Sequence, residues 1–126
     1  MSHISKIELE VNDLSSLRVA CMRLGIEFRQ DQGTFEWYGG RRECHHVIKV
    51  HEAAYEIGVF RNEEKGSYHL LWDSYHAGGL EQILGKNAGR LKQAYGIERV
   101  RTEAKRKGYH VSEQKIDQGV RLLLRV

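Results

Sequence analysis

The stretch Tyr55–Asp73, YEIGVFRNEEKGSYHLLWD, decides the fold class. Two β-prone runs, 55–61 and 67–73, flank the polar turn Asn62-Glu63-Glu64-Lys65-Gly66. Apolar runs around a glycine-containing turn predict an antiparallel hairpin. Upstream, HISKIELEV at 3–11 alternates Ile4, Lys6, Glu8, Glu10 with Ser5, Ile7, Leu9, Val11 and reads as a strand. Asn12 or Asp13 then caps a helix in which Leu14, Leu17, Cys21 and Leu24 recur at helical spacing. Gly25 suits the left-handed position that ends it. Runs 26–30 and 34–38 around Asp31-Gln32-Gly33 predict another hairpin. Gly39-Gly40-Arg41-Arg42 interrupts the pattern, and Cys44–His51 is the next strand.

Beyond Gly78-Gly79 the pattern turns helical. Leu80, Leu84, Ala88, Leu91 and Tyr95 fall within about 80° of a helical wheel, and Ile97, Val100 and Ala104 lie on nearly the opposite side. The face change coincides with Gly96. With Gly85, Gly89 and Gly96 each costing about 1 kcal/mol of helix propensity, a break or bend at Gly96 is expected over one long helix buried on two sides. After Gly108, runs 109–116 and 120–126 flank Asp117-Gln118-Gly119 and form a second hairpin, with Val120, Leu122, Leu124 and Val126 on one face. This would place a terminal strand inside or at the edge of a sheet. Helix, Gly, strand, Asp-Gln-Gly, strand occurs at 13–38 and again at 97–126. Either the match is chance or it marks duplicated β-α-β-β units, with the ferredoxin-like layering of an antiparallel sheet backed by helices.

The 126 residues read as a single α+β domain spanning 1–126. No apolar run approaches the ~20 residues of a membrane span. Two cysteines exclude a disulfide scaffold. The expectation is a soluble, cytoplasmic protein.

The net charge of +3 is unevenly placed. Segment 86–107 carries eight Lys/Arg against Glu98 and Glu103, or +6, while the remainder carries 12 basic and 15 acidic residues, or −3. A basic helix is the electrostatic footprint of a polyanion. Arg90, Lys92 and Arg99 are its candidate ligand-binding residues, and nucleic acid is an alternative partner. Trp37-Tyr38-Gly39-Gly40-Arg41-Arg42 adds two rings, two glycines and two guanidiniums, which would clamp a planar or phosphorylated ligand. Trp72 would furnish a facing wall.

Cys44, His46 and His51 are the candidate metal ligands, since thiolate and imidazole both hold zinc. Strand alternation sends Cys44 and His46 one way and His45 and His51 the other. No nucleophile elbow or phosphate-binding glycine loop occurs. No catalytic residue is assigned and no cofactor is called for.

Several short motifs resemble one family. These are the opening Met-Ser-His-Ile-Ser, the Asp13 to Gly25 helix, Glu56-Ile57-Gly58-Val59-Phe60-Arg61 before Gly66-Ser67-Tyr68, Trp72-Asp73, and Leu91-Lys92-Gln93-Ala94-Tyr95. They are similar to the uncharacterised family of hypothetical chloroplast reading frame thirty-five, also found in bacteria and phages. The resemblance implies a small standalone α+β protein and, for bacterial members, company with AAA-type ATPases. It brings no catalytic residues. The Cys44-His45-His46 run and the Trp72–Gly79 connection depart from the family's pattern.

The sequence therefore points to a non-catalytic binding or accessory protein. Its expected partner is an anionic, nucleotide-like small molecule or an acidic protein surface. The alternatives are a nucleic-acid-binding protein using 86–107 and a metal-dependent enzyme using Cys44, His46 and His51. An exposed Val120–Val126 edge would let protomers pair as a homo-oligomer.

Overall fold

In the computed structural model, which describes residues 4–126, the hairpin read from 55–73 is the centre of the main sheet. Strands β6 (Glu56–Asn62) and β7 (Ser67–Asp73) pair antiparallel, with Val59 opposite Leu70 and Gly58 opposite Leu71. β1 (Ile4–Val11) adds to β7, β5 (His46–Lys49) adds to β6, and β2 (Glu27–Arg29) closes the far edge. The order is β1-β7-β6-β5-β2, and every pairing is antiparallel. Residues directly opposite one another share a face. Ile7, Leu70, Val59 and His46 therefore line one face, while Lys6, Leu71, Gly58 and Val47 line the other.

The first face carries the helices. Asp13 caps α1 (Leu14–Leu24) by accepting from the Ser15 N–H, and Gly25 at φ 71° ends it as expected. Leu17, Ala20 and Cys21 of α1 pack with Ile48, Ile57, Val59, Leu70 and Trp72 in one cluster. Leu80 and Leu84 of α2 (Leu80–Leu84) join it, as do Leu91, Ala94 and Tyr95 of α3 (Gly89–Arg106). The Tyr95 hydroxyl oxygen accepts from the N–H groups of Asn12 (3.0 Å) and Asp13 (3.3 Å), which ties α3 to the β1–α1 turn.

Gly96 does not break the helix. α3 runs through it, and the interruption falls at 85–88, where Gly85, Asn87 and Ala88 all have positive φ. Ala88 is fully buried in the core cluster, so packing holds it in a conformation that its side chain disfavours. A Cβ at Gly96 would meet nothing within 4 Å. α3 is therefore the long helix buried on two sides, with Leu91 and Ala94 on one and Ile97 and Ala104 on another.

The second face is covered by an element the sequence pattern did not resolve. Runs 26–30 and 34–38 do not pair with each other. β2 pairs with β5, and β3 (Thr34–Trp37) pairs with β4 (Gly40–Glu43) around a turn at Tyr38-Gly39. The glycine pair thus spans the end of the turn and the first residue of β4, with Gly40 at φ 112°. Phe35 is fully buried, edge-on to Phe60 at 5.9 Å. A Cβ at Gly58 would stand 2.5 Å from the Phe35 ring, so only glycine admits the hairpin this closely. The hairpin's backbone is fastened in β3 and at the turn by buried carboxylates. Glu36 N–H donates to Glu56 (2.8 Å) and Tyr38 N–H donates to Asp73 (3.0 Å).

The C-terminal hairpin forms as expected from β8 (His110–Ile116) and β9 (Gly119–Arg125), but it stays a separate two-stranded sheet rather than joining the main one. Because β2 and β3 do not pair while β8 and β9 do, the two Asp-Gln-Gly segments do not mark duplicated units. The architecture is α+β, an antiparallel sheet backed by helices.

Two glycines give opposite tests of this packing. Gly58→Ala overpacks Phe35 and is expected to lower unfolding free energy by about 1–3 kcal/mol. Gly96→Ala fills open space on a helix and is expected to raise it by about 0.5–1 kcal/mol. Urea denaturation of the two variants checks both signs.

Candidate functional site

The expected aromatic and arginine clamp is not assembled. Trp37, Tyr38, Arg41 and Arg42 sit on the β3–β4 hairpin, on one side of the main sheet, and α3 lies on the other. Trp72 belongs to the core on the helix side and is 2% exposed, so it forms no wall. The Trp37 ring covers Gly39, where a Cβ would stand 2.4 Å from it. Arg41 is held by its own hairpin: Nε donates to the Thr34 hydroxyl (2.9 Å), and the guanidinium pairs with Glu36 (3.1 Å) and approaches Glu56 (3.5 Å). Tyr38 and Arg42 are exposed, and Tyr38 meets Tyr75 edge-on at 5.7 Å.

The candidate metal ligands have structural partners instead. Cys44 Sγ donates to the Gln32 carbonyl (3.5 Å), and burial pushes its thiol up to about 11, away from the thiolate a metal needs. His46 Nδ1 accepts the Asp31 N–H at 2.9 Å, and its ring lies between Phe28 and Tyr68. His51 stands 3.7 Å from Glu27 at the far edge. Among the described residues no group of three His, Cys, Asp or Glu side chains could hold a metal. His3 lies outside the described residues.

The basic segment divides by partner. Arg99 donates to Asp13 (3.1 Å), the residue that caps α1 and that also accepts from the Ser16 hydroxyl. Those donors hold the Asp13 carboxyl below the usual carboxylate range, the Ser16 hydroxyl contributing most. Arg90 donates to the Ile83 carbonyl (2.9 Å), and Arg106 pairs with Glu103 (2.8 Å). Lys92 is half-buried on α3.

Arg101 belongs to a network at the end of the molecule. Glu113 of β8 receives Arg101 at 2.8 Å and Arg23 of α1 at 2.7 Å, and Arg23 also binds Glu98 at 2.9 Å. The Arg23 guanidinium is the main reason the Glu113 carboxyl titrates below its ordinary range. One carboxylate thus fastens the C-terminal hairpin to both α1 and α3.

That hairpin concentrates the exposed apolar surface. Leu123 is 51% exposed, Leu124 53% and Val126 95%, with Ile116 at 41% and Val100 of α3 at 38%. Beneath β9, Val100, Ala104, Tyr109 and Leu124 line a groove of about 270 Å³, rimmed by Arg99, Glu103 and Lys107. On the other flank, Arg101, Lys105, Tyr109 and His110 line a polar cleft of about 370 Å³. The signal in the sequence was Leu122-Leu123-Leu124: a strand covered on one face hides alternate residues only, so consecutive leucines expose at least one.

A family model described as a protein of unknown function, DUF1257, matches residues 20–123. The chain belongs to this family. No curated protein and no solved structure matches it. The matched span runs from the middle of α1 through Leu123, so it includes every strand of the main sheet except β1, and most of the C-terminal hairpin. No helix among the described residues is long and apolar enough to cross a membrane.

Burial lowers the pKa of His46, and of His69, from the ordinary value of 6.5. The unfolded chain therefore takes up protons first. Stability is expected to be full above about pH 6.5 and to fall as pH drops below it. Urea midpoints at about pH 7.5 and about pH 5.5 measure this, and H46Q/H69Q is expected to flatten the difference.

Proposed function

We propose that this protein is a non-catalytic accessory module that binds an acidic protein partner through its C-terminal hairpin and the exposed side of α3. The observation that carries this reading is the hairpin's surface. Five large apolar side chains are exposed on it or beside it: Ile116, Leu123, Leu124 and Val126 on the C-terminal hairpin segment and Val100 on α3. Arg121 and Arg125 stand among them, exposed on β9, with Lys105 on α3 and Lys107 at its C-terminal cap close by. Apolar patches with a charged rim mark interaction sites. The other exposed large apolar side chains are Val19 and Met22 on α1, and Tyr38 with Tyr75, and among the described residues no buried side-chain nitrogen or oxygen lacks a partner.

The separation of Arg41 and Arg42 from α3 favours a protein surface over a nucleotide-like ligand, which needs its rings and cations on one cleft. The pairing of Arg99, Arg101 and Arg106 with carboxylates likewise weakens the case for a polyanionic nucleic acid. The resemblance to the chloroplast reading-frame family makes an AAA-type ATPase one partner of the required kind.

The test is site-specific photo-crosslinking in cells expressing the full chain. A photoreactive residue at position 123 is expected to give a discrete protein adduct, and one at position 64, in the β6–β7 turn, none. R121E/R125E is expected to cut the adduct at least about tenfold. Equal adducts at both positions would overturn the reading. So would oligonucleotide binding with a steep log–log salt slope that K92E/K105E removes.

A further inference from the structure

The apolar, basic hairpin also has an open edge, and the geometry points to what fills it. We propose that β9 takes up an extended peptide strand from the partner, one whose side chains alternate acidic and apolar, so that the two-stranded hairpin becomes three-stranded. This rests on the reading that the hairpin end binds an acidic protein.

β9 is paired to β8 alone, and no other described strand lies beside it. Its second row of main-chain donors and acceptors therefore has no strand partner, and an edge of this kind is a template for strand addition. A hairpin of two strands is marginal by itself, and a third strand with an apolar face stabilises it.

The side-chain pattern of β9 selects the guest. Glu113 faces Arg23 and Arg101 on the helices, and Leu122 is its register partner, so Leu122 and Leu124 face inward with it. Arg121, Leu123 and Arg125 face outward. A strand laid against β9 would place alternate side chains on the inner face, beside Leu124 and over the groove with Val100, Ala104 and Tyr109. Those positions call for apolar residues. The intervening positions fall beside Arg121 and Arg125 on a strand that holds no carboxylate, and cross-strand pairs of opposite charge stabilise a sheet. Those positions call for Asp or Glu.

A second copy of this chain fits less well. Its β9 brings two more arginines and no carboxylate, and pairing centred on Leu123 sets Arg121 against the copy's Arg125. Like charges directly opposite destabilise a ladder.

The experiment uses the full chain and two fluorescent synthetic peptides of equal composition, one alternating Glu and Val, the other with the Glu and Val in separate blocks. Fluorescence anisotropy is expected to show the alternating peptide binding at least about tenfold more tightly. N-methylation of every second amide is expected to abolish binding in one phase and spare it in the other, because alternate N–H groups point to opposite edges of a strand. R121E/R125E is expected to shift preference to an alternating Lys and Val peptide. Equal binding of the blocked peptide would overturn strand addition and leave the acidic-partner reading standing. Binding of neither peptide while the position-123 adduct persists would do the same. Absence of both peptide binding and the adduct would remove both. A sedimenting dimer dissolved by Leu123→Asp would overturn the proposal in favour of a second copy.

Discussion

The central sheet has two faces to dry, and the missing side chain at Gly58 makes the second one possible. Phe35 sits where a Cβ would be, fully buried against β6. Burying a phenylalanine is worth about 1.5–3 kcal/mol, and this one brings the β3–β4 hairpin across the sheet with it. The buried carboxylates of Glu56 and Asp73 then take the N–H groups that the hairpin presents. Once this face is covered by the hairpin and the other by α1, α2 and α3, the interior is closed without the last 17 residues, 110–126.

That closure explains the position of the C-terminal hairpin. It leaves α3 and folds back on the helix end instead of adding to an edge of the main sheet. Its ion-pair attachment runs through Glu113 to Arg23 and Arg101. A strand covered on one face with leucines on both must expose some of them, and it does so beside arginines. The exposed apolar and basic surface on which the proposed function rests is thus a consequence of how the core was completed. The same folding separates the arginines of β4 from those of α3 by a sheet, which removes the clamp that their sequence pattern suggested.

Much of the fold was legible in local pattern. The turn 62–66 between two β-prone runs specified β6 and β7, Asp13 and Gly25 bounded α1, and Asp117-Gln118-Gly119 closed the last hairpin. The errors came where local signals have two readings. Asp31-Gln32-Gly33 resembles a hairpin turn, yet β2 and β3 diverge after it because Phe35 is drawn across the sheet to Gly58 while Phe28 packs on the helix side. Gly96 resembles a helix break, yet it faces open space, and the break lies at 85–88 because Ala88 is pulled into the core. The candidate site fared worse than the fold. Trp72, Arg41 and Arg99 have the right chemistry for a ligand, but each already has an intramolecular role.

By itself, the sequence determined the element types, the antiparallel class and the concentration of positive charge on 86–107, because these depend on periodicity, turn chemistry and composition within short windows. Only the tertiary structure decided which strands are neighbours, which face each aromatic lines and which cations are already paired. Those outcomes depend on contacts between residues far apart in the chain, such as Phe35 with Gly58, Arg99 with Asp13 and Arg23 with Glu113. No local pattern encodes the partner of a long-range contact, and at the hairpin end such contacts decide which cations of 86–107 are paired and which apolar side chains stay exposed.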